Sequence, residues 1–234
     1  MKKRLMKNII FTPEMLTGKS RDHLVNLPCP FSHHHFLQVD ALKAFQALQK
    51  SAVENGFNLQ PASSFRDFQR QQLIWNSKFN GERKVHDDNG DSLDLSELSD
   101  WQKAQAILRW SALPGASRHH WGTEIDIFDP DLLPPQQQLH LEPWEYEQRG
   151  YFYELSQWLQ QQLTYFDFAL PFLSQPENKK IGREPWHISY LPLAEQAQRQ
   201  LTPEVLISAW EGEHIEGKSV LVAHLEQIFE RFIA

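Results

Sequence analysis

Cysteine is nearly missing from this sequence: Cys29 stands alone. An intrachain disulfide is therefore excluded, and so is a zinc site built on paired cysteines. Long apolar runs are missing too, and no stretch approaches the roughly 18 residues of a membrane-spanning helix. Met1-Lys2-Lys3-Arg4-Leu5-Met6-Lys7-Asn8 is basic enough to begin a secretory leader. Only Ile9-Ile10-Phe11 follows before Thr12 and Pro13, against the roughly seven to fifteen apolar residues that a leader needs. The reading is a cytoplasmic chain, with a periplasmic or wall-associated location left open. A basic excess is also lacking: 23 Lys and Arg face 30 Asp and Glu, a net charge of -7. Without a basic stripe, nucleic acid is not an expected partner. Repeats and low-complexity segments are not evident.

What remains is an ordinary globular balance, 41% hydrophobic and 23% charged, with 11 histidines and 8 tryptophans. The 234 residues suffice for one domain. We place its core at about 36–193 and a helical C-terminal extension at about 194–234. Val39, Leu42, Phe45 and Leu48 recur at helical spacing, and Gly56 is placed to close that helix. Residues 57–60 and 62–65 read as a strand interrupted by Pro61. Asp67 can cap a second helix running to about Lys78, with Phe68, Trp75 and Phe79 inward. Residues 81–95 read as a surface loop around Asn89-Gly90. A third helix is expected from Asp100 to Ser111, and residues 129–150 as a long surface excursion. Phe152, Leu155, Leu159 and Leu163 mark another helix, 175–182 a loop and 184–193 a strand. From Ala194 the chain reads as helical and amphipathic, with Leu221, Leu225 and Phe229 at spacing four. Helices interleaved with short strands indicate an α+β fold.

The chemistry concentrates in "SRHHWGTEID", residues 117–126. His119-His120-Trp121-Gly122 suits a tight turn, and Glu124 to Ile127 alternates as a half-buried strand does. Glu124 and Asp126 then share one face and the two isoleucines the other. An acidic face beside a histidine-bearing turn can hold a divalent metal, but a further ligand is needed. "EPWHISY", residues 184–190, supplies it on a second strand. One histidine of the first motif, Asp126 and His187 make three ligands, the number typical of a catalytic zinc site. Glu184, three residues before His187, is placed to act as a base.

Ser117-x-His119-x-x-Gly122-x-x-x-Asp126, followed by Glu184-x-Trp186-His187, resembles the signature of the LAS metallopeptidases, and most nearly the VanY-like D-alanyl-D-alanine carboxypeptidases. Phe65-Arg66-Asp67 and Gln71 resemble a third, upstream element of that family. The resemblance runs over roughly residues 40–190. It implies a LAS, hedgehog-like peptidase fold, with a small antiparallel sheet carrying one Zn2+ between flanking helices. His119, Asp126 and His187 would bind the metal, and Glu184 would be the catalytic base. Arg66 would bind the substrate's carbonyl or C-terminal carboxylate, with Gln71 and Ser117 lining the same pocket. The implied substrate is a short peptide or peptidoglycan fragment ending in D-alanine. A dipeptidase or endopeptidase on the same scaffold, or a zinc-containing binding module, are the alternatives.

His120 falls on a variable position of the signature and is read as lying behind the ligands or exposed. Glu124 stands where the family usually has alanine, and Asp67 where it has serine. For Glu124 two readings stay open, added negative charge near the metal or a pairing with a basic residue. Each site residue also has a plain structural alternative. The histidines and Asp126 can be unrelated polar residues on strands, and Glu184 and Arg66 ordinary ion-pair partners. The triplet His33-His34-His35 reads as a loop or packing element, because adjacent residues rarely converge on one ion. Trp121 and Trp186 read as pocket wall and core.

Overall fold

The computed structural model describes residues 10–32, 34–174 and 176–233. The N-terminal leader reading (residues 1–9) and His33 lie outside them. Helix α1 (Pro13–Leu16) is capped by the Thr12 side chain. Strands β1 (Leu24–Asn26) and β2 (Phe36–Gln38) form an antiparallel pair. Helix α2 (Val39–Glu54) follows directly, its first N–H groups accepted by the Gln38 side chain. Its periodic residues Phe45 and Leu48 are buried, and Gly56 takes a left-handed φ of 85° just past its end.

Pro61 does not interrupt a strand here. It lies within β3 (Gln60–Ser63), at the edge of the main sheet, where the register shifts between Pro61 and Ser63. An edge position tolerates a residue that cannot donate to the ladder. Asp67 caps α3 (Phe68–Phe79) by accepting from the Arg70 N–H at 2.8 Å. Helix α4 (Asp100–Leu108) opens on a capping box of Ser99 and Gln102 and stops three residues short of the expected Ser111.

Strand β4 (Glu124–Phe128) is the centre of the site. It is buried on both faces rather than one: Glu124 and Ile125 are each 0% exposed. Alternation correctly separates the two faces, but here the polar face meets other protein, not solvent. The 129–150 excursion contains one short helix, α5 (Pro143–Tyr146). Helix α6 (Tyr153–Gln162) and strands β5 (Phe168–Ala169) and β6 (His187–Tyr190) follow. The strand read over 184–193 is thus four residues long, with Glu184 before it and α7 (Leu191–Gln200) after it. Proline explains the early switch: Pro192 sits in the first turn of α7, where its missing N–H costs nothing.

The C-terminal segment is several short helices, α8 (Pro203–Ala209), α9 (Lys218–Ala223) and α10 (Leu225–Ile228), ending in a wound turn over 229–233. Leu221, Leu225 and Phe229 are all buried in one cluster, as their spacing predicts.

The main sheet is antiparallel in the order β3-β4-β6-β5. Ile125, Ile127 and Ile188 on one face pack with Phe45, Leu155 and Phe168. A second core joins Phe68 and Trp75 of α3 to Ile107, Trp121, Trp210 and Leu221. The α+β expectation holds: a small antiparallel sheet lies among helices. No helix among the described residues is long and apolar enough to cross a membrane.

Candidate active site

Strand register assembles the site. Asp126 faces His187 directly across β4 and β6, and Glu124 faces Ser189. Directly opposed residues of an antiparallel pair point to the same side, so all four side chains lie on the face away from the isoleucines. The turn before β4 delivers the third group. Arg118–Trp121 winds as one 3-10 turn and ends at Gly122, whose φ is 68°. A Cβ at Gly122 would collide with the Leu24 side chain, so backbone freedom and space both call for glycine there.

Ligand atoms of His119, Asp126 and His187 lie within 4.8 Å of one another, and all three residues are buried. His119 presents Nε2, 3.3 Å from Asp126 Oδ2, while its Nδ1–H donates to the Ser64 carbonyl at 2.7 Å. His187 presents Nδ1, 3.1 Å from Asp126 Oδ1, while its Nε2–H donates to Glu124 Oε2 at 2.7 Å. Each ring therefore has one nitrogen tied down and the other aimed at the cluster, the usual way of orienting a metal-binding histidine. Asp126 Oδ1 and His187 Nδ1 are buried and close, yet neither makes a hydrogen bond. Buried polar atoms of a native protein are rarely left so, and convergence on a shared cation accounts for both. The donor set fits a divalent metal.

Electrostatics agree. Burial and Arg66 hold the His119 imidazole below its ordinary range, despite the opposing pull of Asp126. Burial disfavours ionised Asp126, but the two histidines win and push its pKa down. Burial likewise opposes a charged His187, yet the adjoining carboxylates of Asp126 and Glu124 push it up to about 10. Glu184 sits 3.5 Å from His187 Nδ1. Burial, reinforced by Asp126, raises it to about 7 against the pull of His187, Arg66 and Lys78.

The other residues expected here divide into two groups. Arg66, Ser117 and Glu184 line one cavity of about 290 Å³ together with the three ligand candidates. Gln71 does not line it. Its Oε1 accepts from Arg66 Nη1 at 2.8 Å while its amide donates to the Ala112 carbonyl at 2.7 Å, so it holds Arg66 in place from behind. His120 is buried and outside the ligand cluster. Its Nδ1–H donates to the Arg66 carbonyl at 2.6 Å and its Nε2 accepts from the Gly115 N–H at 3.1 Å. Of the two expectations for His120, the exposed one is excluded. His35 packs at Ser64 with a 3.1 Å contact to its hydroxyl, while His34 is exposed. Trp121 and Trp186 are both buried; Trp121 lines the cavity and Trp186 belongs to the sheet's core.

Glu124 resolves the alternatives left open above. It receives hydrogen bonds from His187, from Ser189 Oγ at 2.8 Å and from Thr123 Oγ1 at 3.0 Å, and it pairs with Arg118 Nη2 at 3.3 Å. Burial opposes its charge, but Arg118 and His187 keep it ionised, well below the usual carboxylate range. The sequence carries no spacing signal for Arg118, whose guanidinium bridges Glu124, Ser189 and Gln198 across three elements.

A profile of the VanY D-alanyl-D-alanine carboxypeptidases matches residues 34–193. The chain belongs to the VanY family. Membership makes it a peptidase. Two proteins of Haemophilus influenzae, each described only as uncharacterized, are similar to this VanY-family chain. One is 64% identical over 121 residues, covering 52% of this chain and 92% of that protein. The other is 78% identical over 102 residues, covering 44% and 70%. Solved structures share the fold. VanYB in complex with D-alanine-D-alanine is 21% identical with a TM-score of 0.51, covering 81% of this chain and 90% of that one. The LdcB LD-carboxypeptidase is 19% identical with a TM-score of 0.51, covering 82% and 80%. A VanY D,D-pentapeptidase from a VanB-type cassette, in complex with Zn(II), is 19% identical with a TM-score of 0.50, covering 85% and 88%.

Proposed function

We propose that this VanY-family chain is a zinc carboxypeptidase that removes the C-terminal D-amino acid of a short peptide of the peptidoglycan-stem type. One observation carries the reading: three buried ligand atoms within 4.8 Å of one another open on the cavity that Glu184 and Arg66 also line. In it, His119, Asp126 and His187 hold one Zn2+. Zinc, when bound, supplies a Lewis acid for the scissile carbonyl and lowers the pKa of water to about 7. Glu184 accepts the proton of the attacking water and returns it to the leaving amine. Arg66, fixed by Gln71, presents its guanidinium to the substrate's terminal carboxylate or to the developing oxyanion, and Ser117 lines the wall beside it.

Recognition of a free terminus distinguishes this from an endopeptidase. A guanidinium is always charged and can donate two parallel hydrogen bonds to a carboxylate. Amidating the peptide's C-terminus is expected to lower kcat/KM by about tenfold or more, the scale of one lost charged hydrogen bond. Arg66→Ala should erase that preference. Equal cleavage of free-acid and amidated peptides by the wild type would assign the site to an endopeptidase.

Glu124 has a role of its own in this proposal, holding the proton of His187 on Nε2 so that Nδ1 is free for the metal. Loss of such an outer partner costs roughly 10–100-fold in metal affinity. Glu124→Gln, titrated with zinc against a chelating dye, should fall in that range, and Glu124→Ala should fall further because Arg118 is then left buried without its carboxylate. Wild-type affinity in both would reduce Glu124 to packing.

A further inference from the structure

The cavity does not end at the ligand cluster. Lys78, Arg83, Trp110 and Leu141 line both it and an outer groove of about 720 Å³, so the two spaces meet at a neck. The groove's carboxylates are engaged. Asp88 pairs with Arg109 at 2.6 Å and Glu147 pairs with Arg183. Glu142 accepts from the Trp144 indole at 2.6 Å, and Asp87 accepts from the Asn89 and Asp91 backbone at 2.8 and 2.9 Å.

The neck's cations are different. Among the described residues, Lys78 donates only to the Ser111 hydroxyl, at 2.7 Å. Neither Lys78 nor Arg83 has a carboxylate in ion-pair distance among the described residues. Burial, then the charges of Arg83 and Arg66, push Lys78 down to about 8 against the pull of Glu184. Both cations line the cavity that Arg66 lines, and the groove beyond it as well.

We propose that Lys78 and Arg83 form an anion subsite that binds a carboxylate on the amino-terminal side of the scissile bond. The proposal rests on the carboxypeptidase reading for its direction: with the substrate's terminus at Arg66, the rest of the peptide leaves across the neck into the groove. The substrate class is then a peptide with two separated carboxylates, one terminal and one upstream of the scissile bond. A neutral peptide of equal length leaves both cations unpaired.

The test uses two peptides with the same D-alanyl-D-alanine end, one with glutamate and one with glutamine at the second to fourth residues before the cleaved bond. The zinc-loaded wild type is expected to favour the glutamate peptide by about tenfold in kcat/KM, through KM, the scale of one charge-assisted hydrogen bond. Arg83→Gln, an exposed substitution, should narrow the ratio, and Lys78→Gln with Arg83→Gln should bring it near one. Fluorescence anisotropy with labelled peptides, on the Glu184→Ala protein and on that protein with both neck substitutions, measures the same preference without turnover. A binding preference that the neck substitutions abolish supports the subsite even if neither peptide is cleaved, an outcome that would defeat the carboxypeptidase reading alone. Equal binding of the two peptides, or a preference that survives loss of both cations, overturns the subsite.

Discussion

Glu184→Ala is expected to keep its zinc and lose turnover by about a hundredfold or more, the usual loss when a general base is removed. Two features of the geometry separate these outcomes. Glu184 lies before β6 and reaches the cluster from its side, 3.5 Å from His187 Nδ1. It is absent from the set of mutually close ligand atoms formed by His119, Asp126 and His187. Burial raises its pKa to about 7, so near neutral pH it can both take and return a proton. A bound cation would favour its ionised form further. Metal content by mass spectrometry, measured on the same sample as kcat, decides the matter. Loss of zinc in Glu184→Ala would make this residue a ligand and leave the proton transfer without an owner.

A second large effect is expected within the histidine pair. His119→Ala should weaken zinc by more than the roughly 10–100-fold that even an outer partner's loss costs. His120→Ala should leave zinc binding within a few-fold and instead destabilise the fold. His120 is completely buried and bonded to the Arg66 carbonyl and the Gly115 N–H. Removing it strands two backbone groups, at about 1–3 kcal/mol each. Thermal unfolding of the metal-free proteins therefore separates the two: His120→Ala melts lower, whereas His119→Ala loses chiefly its response to added zinc. A His120→Ala protein that has lost zinc, beside a His119→Ala protein that keeps it, would reverse the assignment.

How much of the fold and site the sequence reveals depends on whether the information is local. Period-two alternation placed Glu124 and Asp126 on one face, because side-chain direction in a strand follows from the backbone alone. The Asp67 cap and the Leu221, Leu225, Phe229 spacing were local in the same sense. Element ends are not carried by the apolar pattern: the third helix stops at Leu108 without a mark in it, and β6 yields to α7 at Leu191 beside Pro192. Burial of the acidic face was hidden as well, since alternation cannot say whether a polar face meets water or protein. Gln71 illustrates the difference between nearness and role. Its spacing from Arg66 indicated a shared neighbourhood, but only the hydrogen bonds show it holding the arginine rather than facing the cavity. Glu124 could be read only from its contacts, because its partners Arg118, His187 and Ser189 come from a turn and a separate strand.

Zinc-dependent removal of a terminal D-alanine is tested most directly by one incubation. The protein, once its zinc content is measured at about one per chain, is mixed with a free-acid peptide ending in D-alanyl-D-alanine, and the products are weighed by mass spectrometry. Loss of a single terminal alanine is expected, abolished by a chelator and restored by zinc. A zinc-loaded protein that leaves this peptide intact, together with a panel of other D- and L-terminated peptides, would contradict it.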